Sequence, residues 1–469
     1  MPELLSTELA AWSGGAWSGT PPISVRGVSI DTRALDTGNL YIALKGEHQD
    51  GHAYVGEAFA RGASAALVRK TFKPGKGVSG AMLGVKNPRR SLMDIAAGYR
   101  QTLDLEVVAV SGSVGKTTVK EMLADALGLV GPTARTRGNW NNDIGLPLSL
   151  LAVEKGNKFG VFEVGMNHPG ELAPLCALLQ PTIGVLTTIG PVHLEFFESV
   201  QAIAREKAAV FASLPPDGLA VVCRDERWFD LLKSHARCPV VTTSLMGDAD
   251  YVGKPLNDDE GRFVVYEKAS GERIKFETPL PGDYVIYDAL LAIAVARQRG
   301  AEWDALVEAI RKYKPLALRW NVQAIDGIDF VLDAYNANPV SMRAALQAFA
   351  QMKAQGRKWV VLAGMRELGA VDKEEHWSLG TDVARGDWAG LLAVGDHGEL
   401  IAEGAERAGW SGDRVVRCPD SAAAARALKD RINMGDAVLL KASRGERLED
   451  VLTEWKKLQS KEGANCACG

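Results

Sequence analysis

Residues 107–120, VVAVSGSVGKTTVK, gather the residue types that handle phosphate. A β-branched run enters a Gly-rich turn, Gly112-Ser113-Val114-Gly115, which delivers Lys116, Thr117 and Thr118 into a helix-compatible segment. Such a turn aims several backbone N–H groups at one place and sets a helix N-terminus behind them, which suits a chain of phosphates. Lys116 would reach the β- and γ-phosphates, and the Thr117 hydroxyl would bind Mg²⁺. The loop is a shortened form of GxxxxGK[ST], because Val110 stands where the first Gly would be. The competing reading is a strand–helix turn with a solvated Lys. The GKTT run after a buried-type strand favours nucleotide.

Further groups could serve such a site. Glu163 closes a strand-like run, and the carboxyl ends of strands line the ligand crevice of an α/β sheet. It could reach a Mg²⁺ held by Thr117, or be a surface Glu. His193 follows another strand, in TTIGPVHLE, and could ligate a second metal through a neutral ring nitrogen, although a lone His is more often structural. Residues 138–147, GNWNNDIGLP, set Asn139, Asn141 and Asn142 between two Gly, which alone reads as turn chemistry. Lys207 reads by itself as one more helix-surface Lys. Further on, DAYNANP begins with Asp333, which could accept hydrogen bonds from a ribose, and Pro339 suits the first position of a helix. Lys441-Ala442-Ser443-Arg444-Gly445 is a cationic loop suited to a carboxylate or phosphate.

Holding these groups together requires α/β layers. Strand-like and helical patterns alternate nearly throughout, with no internal repeat. At 469 residues, several domains are expected. We divide the chain at 1–101, 102–315 and 316–469. The first block carries strands near 40–44, 65–68 and 81–85 and a helix over 91–101. The second carries strands near 107–110, 160–164, 183–187 and 219–222, with helices over 287–300 and 305–312, as a mostly parallel sheet requires. The third carries strands near 330–332, 359–362, 390–394 and 437–441, the spacing of a small doubly wound, Rossmann-like fold without a complete GxGxxG.

Composition narrows the partners. The chain is 46% hydrophobic and 24% charged, as globular proteins are. A formal charge of −4 makes no electrostatic case for nucleic acid. No apolar run is long enough for a bilayer. The first residues lack the pattern of a signal peptide, so a cytoplasmic location is expected. The six cysteines are scattered without zinc spacing, which points to free thiols. Cys466 and Cys468 sit in a tail, GANCACG, expected to be mobile.

Taken together, SGSVGKTT, GNWNNDIGLP, IGPVHLEFF with Lys207, DAYNANP and LLKASRG resemble the Mur ligase family of ATP-dependent amino-acid and peptide ligases of peptidoglycan synthesis. The resemblance covers nearly the whole chain. It implies a UDP-substrate domain, a central P-loop ATPase domain and a C-terminal Rossmann-like domain. Ser29, Asp31, Thr32, Arg33, Lys45, Gly46, His48, Asp50 and His52 match the family's UDP-sugar-binding segments. Gly112 to Thr118, Asn142, Arg319, Asp333 and Asn336 match ATP-contacting positions, and Thr117, Glu163 and His193 match positions that hold Mg²⁺, two ions being expected. Lys207 matches a lysine that the family carbamoylates. Lys116, Glu163, His193 and Lys207 would then carry catalysis. Asn338, Lys441, Ser443 and Arg444 would face the acceptor side. The form of DAYNANP is similar to that of members that add D-alanyl-D-alanine to UDP-N-acetylmuramoyl-tripeptide, and a monomer is expected. Alternatives are a sibling that adds another amino acid, such as the diamino acid, and a P-loop regulator without ligation. The chain departs from the family pattern at Tyr284-Val285-Ile286-Tyr287-Asp288-Ala289, where His-Asn-Val-x-Asn-Ala is common. It departs again at Ala209, where a Glu is common, and at Ala363-Gly364-Met365, where Gly-Asp-Met is common.

Overall fold

The computed structural model describes residues 1–256 and 261–466, with side chains through residue 460; the Cys466 side chain and Cys468 fall outside it. Three mixed or parallel sheets occupy successive stretches of chain, beside a short antiparallel pair, Glu3–Leu5 with Ser24–Arg26. The first large sheet runs Ala16–Ser18, Ala81–Val85, Ala65–Arg69, Leu40–Ile42, Val28–Ser29. Its pairs are parallel except the first.

The middle sheet is built around Glu106–Ser111, with Phe159–Glu163 on one side and Ile183–Leu186 on the other, all parallel. These strands are buried almost throughout, so their sequences are continuous apolar runs rather than alternating ones. The order reverses at the central strand: chain leaving Glu106–Ser111 crosses to one side first and returns later to the other. That is the place where open α/β sheets leave a crevice at their carboxyl edge. Helix Asp283–Gln298 lies along helix Lys116–Gly128. Its Ala289, Ala292, Ala294 and Ala296 are fully buried, and their small side chains permit the close approach.

This sheet continues through four strands the sequence patterns did not suggest: Val240–Ser244, Tyr251–Pro255, Arg262–Glu267 and Arg273–Glu277, the last three forming antiparallel pairs. The extension is polar on one face, as in Arg262–Glu267, where buried and more open residues alternate. Strands half open on one face, with Gly253 and Pro255 inside one of them, leave no continuous apolar run to mark it.

The third sheet runs Asn321–Ile325, Ile328–Asp333, Ala437–Lys441, Lys358–Leu362, Gly390–Val394, Val415–Cys418. Pro339 opens helix Pro339–Gln351 as expected, and the Asn338 side chain accepts from Ser341 N–H at 2.9 Å. Helix Pro88–Arg100 fastens the first block to the second. Tyr99 Oη donates to Val153 O at 2.6 Å, and the Arg100 guanidinium donates to the carbonyls of Leu103, Leu105 and Leu179. No helix among the described residues is long and apolar enough to cross a membrane.

Candidate active site

The Gly-rich turn closes on itself as the sequence requires. Gly112 has φ +146°, and a Cβ there would stand 1.8 Å from Thr187 Oγ1. Gly115 has φ +89°, and a Cβ there would stand 2.3 Å from Asp288 Oδ1. Neither position admits a side chain. The neighbouring strand end clamps the loop: Thr187 Oγ1 donates to Val114 O at 2.5 Å, Ser113 N–H to Thr188 O at 2.8 Å, and Ser113 Oγ to Gly190 O at 3.1 Å. The Lys116 ammonium folds back on the loop, donating to Gly112 O at 2.9 Å and Ser113 O at 3.4 Å. Burial lowers its pKa below the usual lysine value, with Arg319 adding to the effect and Glu163 opposing it.

Glu163 ends its strand beneath the first turn of the Lys116 helix, with its side chain about 1% exposed. Its two carboxylate oxygens accept from Thr117 Oγ1 and Asn141 Nδ2, each at 2.7 Å, and its N–H donates to Thr136 Oγ1 at 3.0 Å. A hydroxyl and a carboxylate oxygen in contact beside a phosphate-type loop form a hard oxygen donor set, which fits Mg²⁺. Lys120 supports this arrangement from the same helix. Its ammonium is wholly buried and donates to Thr136 O at 2.9 Å and Gly138 O at 2.7 Å, with Glu121 Oε1 at 2.5 Å. It therefore pins the segment that leads into the Asn-rich loop. Asn142 is a cap, its side chain accepting from Ile144 and Gly145 N–H at 3.2 and 2.8 Å.

His193 and Lys207 differ from their simplest readings. His193 has φ +55°, and its Nδ1 is hydrogen-bonded to the Glu367 carboxylate of the third sheet's domain. Lys207 ends helix Val200–Lys207 and is 1% exposed, so it is no surface lysine. Burial pushes its pKa well below the usual lysine value; Lys116 repulsion adds to this, while Glu206 and Glu163 oppose it. The helix carries Lys207 inward because its buried positions, Ile203, Ala204 and Lys207, recur at a helical spacing of three and four.

The third sheet contributes a compact ion pair rather than free charges. Lys441, 2% exposed, donates to Asp333 Oδ2 at 2.6 Å and Asn336 O at 3.2 Å, so Asp333 enters the cleft as one half of an ion pair. Ser443 is buried, accepting from Arg366 N–H at 3.0 Å and donating to Ala337 O at 3.3 Å. Arg444 pairs with Glu449. Arg319 also lines the cleft, its guanidinium 4.4 Å from the centre of the Tyr335 ring. In the first domain, Asp31 binds Arg33 and Ser29 Oγ donates to Asp31 O at 2.9 Å. Thr32 donates to Glu57 at 3.1 Å. Gly46 N–H donates to Gln49 O at 2.8 Å, and Lys45 forms a β-bridge with Asp50. His52 is spent as a strut, its Nδ1 on Asp50 at 2.6 Å and its Nε2 accepting from Arg69 N–H at 3.0 Å. Neither these residues nor His48 line the main cleft; their neighbour Glu47 does.

That cleft has a volume of about 1150 Å³ and is lined from all three domains, including Lys116, Thr117, Glu163, His193, Arg319, Asp333 and Lys441. It also brings in residues that sequence reading did not select. Asp288, 6% exposed, lies against Gly115, with Tyr284, Tyr313 and Trp320 along the same wall. Burial raises the Asp288 pKa well above the usual carboxylate value, Arg319 opposing. The signal was present as a departure, Asp where the similar family has Asn. At the opposite end, Asn87, Arg89 and Arg90 open helix Pro88–Arg100 into the cleft, and Arg89 Nη2 binds Asp143 at 2.6 Å. A separate group, Asp372, His376 and His397, has metal-type spacing. Its His376 nitrogens are already engaged, one on Asp372 O at 2.7 Å and one accepting from Met365 N–H at 2.9 Å.

Comparison with known proteins covers all three domains. Residues 24–100 match the Mur ligase family catalytic domain, 110–296 the Mur ligase middle domain, and 318–444 the Mur ligase glutamate ligase domain. UDP-N-acetylmuramoyl-tripeptide–D-alanyl-D-alanine ligase of Bacillus subtilis is 32% identical over 92% of this chain and 93% of its own length. The crystal structure of MurF from Acinetobacter baumannii superposes with a TM-score of 0.86 at 27% identity, covering 97% of this chain and 99% of that one. MurF ligase from Thermotoga maritima, in complex with ADP, superposes at 0.80 with 27% identity, covering 93% and 99%. With the phosphate loop, the buried Thr117–Glu163 pair and a three-domain cleft, these matches make the chain a member of the Mur ligase family.

Proposed function

We propose that this chain is the ATP-dependent ligase that joins D-alanyl-D-alanine to UDP-N-acetylmuramoyl-tripeptide, in the cytoplasm and as a monomer, with domains divided near residues 101 and 315. The observation that carries the reading is the cleft itself: Lys116, Thr117 and Glu163 from the middle domain meet Arg319 and Asp333 from the third. A carboxylate does not acylate an amine at neutral pH, because oxide is too poor a leaving group. Transfer of the γ-phosphoryl from ATP to the tripeptide's terminal carboxylate breaks the bond between the γ-phosphorus and the β,γ-bridging oxygen, releases ADP and makes an acyl phosphate. The dipeptide amine attacks its carbonyl, the C–O bond to phosphate breaks, phosphate departs with the bonding pair, and the nitrogen sheds a proton to leave the amide.

The protein's part is positioning and charge. Lys116 turns from the Gly112 and Ser113 carbonyls to the transferring phosphoryl group, whose charge it neutralises. Glu163 and Thr117 would hold Mg²⁺, with His193 contributing to a second ion, and Mg²⁺ supplies further charge neutralisation on phosphate oxygens. Arg319 clamps the nucleotide from the third domain, and docking of that domain excludes water from the acyl phosphate. Lys207, whose burial disfavours the charged form, would as the free amine add CO₂ through its Nζ lone pair and lose a proton, giving a carbamate. Two oxygens sharing one negative charge would then stand where an ammonium would repel the cations.

The test is phosphate release from ATP. It should require both UDP-N-acetylmuramoyl-tripeptide and D-alanyl-D-alanine, and single amino acids should not replace the dipeptide. Release that needs neither substrate would leave a P-loop regulator as the reading. Release with the dipeptide replaced by a diamino acid, on a dipeptide acceptor, would favour the sibling enzyme.

A further inference from the structure

Two non-glycine residues with left-handed backbone face each other across the gap between the middle and third domains. His193 has φ +55° and Glu367 has φ +64°. This conformation is costly for a residue with a Cβ and persists where the surroundings enforce it. Here the surroundings are mutual. His193 Nδ1 binds the Glu367 carboxylate, and Glu195 N–H donates to Glu367 O at 3.2 Å. Gly369, with φ +59°, lets the third domain's loop approach, because a Cβ there would stand 3.0 Å from Glu195 Cα and 3.1 Å from Leu194 O. The His193 partner holds the Glu367 carboxyl below the usual carboxylate pKa. The His193 ring lines the main cleft, only about 20% exposed.

We infer that Glu367 is a positioning residue for His193, fixing Nδ1 so that Nε2 faces the cleft toward a cation or its bound water, and so making the second cation depend on docking of the third domain. An imidazole that contacts a metal commonly gives its other ring N–H to a carboxylate, which fixes tautomer and ring orientation. In this chain that carboxylate comes from a different domain. The first cation's donors, Thr117 and Glu163, belong wholly to the middle domain and need no such help. The inference rests on the metal role proposed above for His193.

The experiment titrates Mn²⁺ into the full chain with a non-hydrolysable ATP analogue, reading free Mn²⁺ by electron paramagnetic resonance. Wild type should hold two ions. Glu367→Ala should weaken one of them by roughly 10–100-fold and leave the other unchanged. Glu367→Gln, whose amide oxygen can still accept from Nδ1–H, should lie nearer wild type. His193→Ala should match Glu367→Ala, and the double variant should show no further loss. Two-ion binding that is normal in Glu367→Ala but impaired in His193→Ala would overturn the positioning role alone. Normal binding in His193→Ala, or a single ion in wild type, would overturn the metal role and this inference with it.

Discussion

Three side chains test the site most directly. Lys116→Ala should cut turnover by roughly a hundredfold or more, as losing one preorganised electrostatic contact does. Steady-state phosphate release measures this, and near-normal turnover would remove the phosphate role. Lys207→Ala should be nearly inactive, with acetate or formate restoring activity in a saturable way, because a free carboxylate can occupy the volume of a carbamate. An active Lys207→Ala enzyme would return the residue to a packing role. Asp288 makes a stability prediction with a defined sign. Its folded pKa is raised, so its contribution to stability is fully present below about pH 3.9, the unfolded value, and is lost as pH climbs toward the folded one. Asp288→Asn should therefore melt higher than wild type at pH 8, with the gap closing as pH falls to about 4.5. Calorimetry at the two pH values reads it; a lower melting point at pH 8 contradicts the raised pKa. Residue types and spacing made Lys116, Thr117 and Glu163 legible. Asp288 and Glu367 were not selected, because each acts across a fold contact between segments far apart in the chain.

Among elements, the helix Lys116–Gly128 does two tasks at once. Its N-terminus faces the phosphate loop, and one turn later Lys120 ties down the carbonyls of Thr136 and Gly138. Those carbonyls introduce the loop whose Asn141 holds Glu163. Lys120→Met keeps the stem's bulk but leaves both carbonyls unpaired in a buried place, costing about 2–4 kcal/mol. The expected result is a lower first unfolding transition and a raised requirement for Mg²⁺, since Glu163 loses its frame. An unchanged Mg²⁺ dependence in a destabilised variant would limit Lys120 to packing. The sequence showed this helix and the parallel core strands clearly, because buried parallel strands are continuous apolar runs. It showed neither the antiparallel strands over 251–277 nor the ion pair between Asp333 and Lys441. The strands are short and half open, with Gly253 and Pro255 breaking one of them, and the pair joins two strands 108 positions apart. A free-looking DAY or LKAS segment gives no hint that each neutralises the other.

On the scale of the whole molecule, three domains share one cleft, so the chemistry should run in a protected space. ¹⁸O placed in the acceptor carboxylate should appear in released phosphate, since phosphate leaves the acyl carbon with one of those oxygens. Label confined to the peptide would remove that step. The arrangement of the third sheet has another consequence, concerning how the chain is made. Its strand Ala437–Lys441 sits between Ile328–Asp333 and Lys358–Leu362, pairing in parallel with both. On the ribosome those two neighbours emerge well before the strand that joins them. At 5–20 residues per second the wait between Leu362 and Ala437 is roughly 4–15 s. Throughout it, two apolar strand edges stand bare, each a template for pairing with another nascent chain. A premature stop after Leu362 and before Ala437 leaves that sheet in two unjoined parts, and so a sticky product rather than a shortened enzyme.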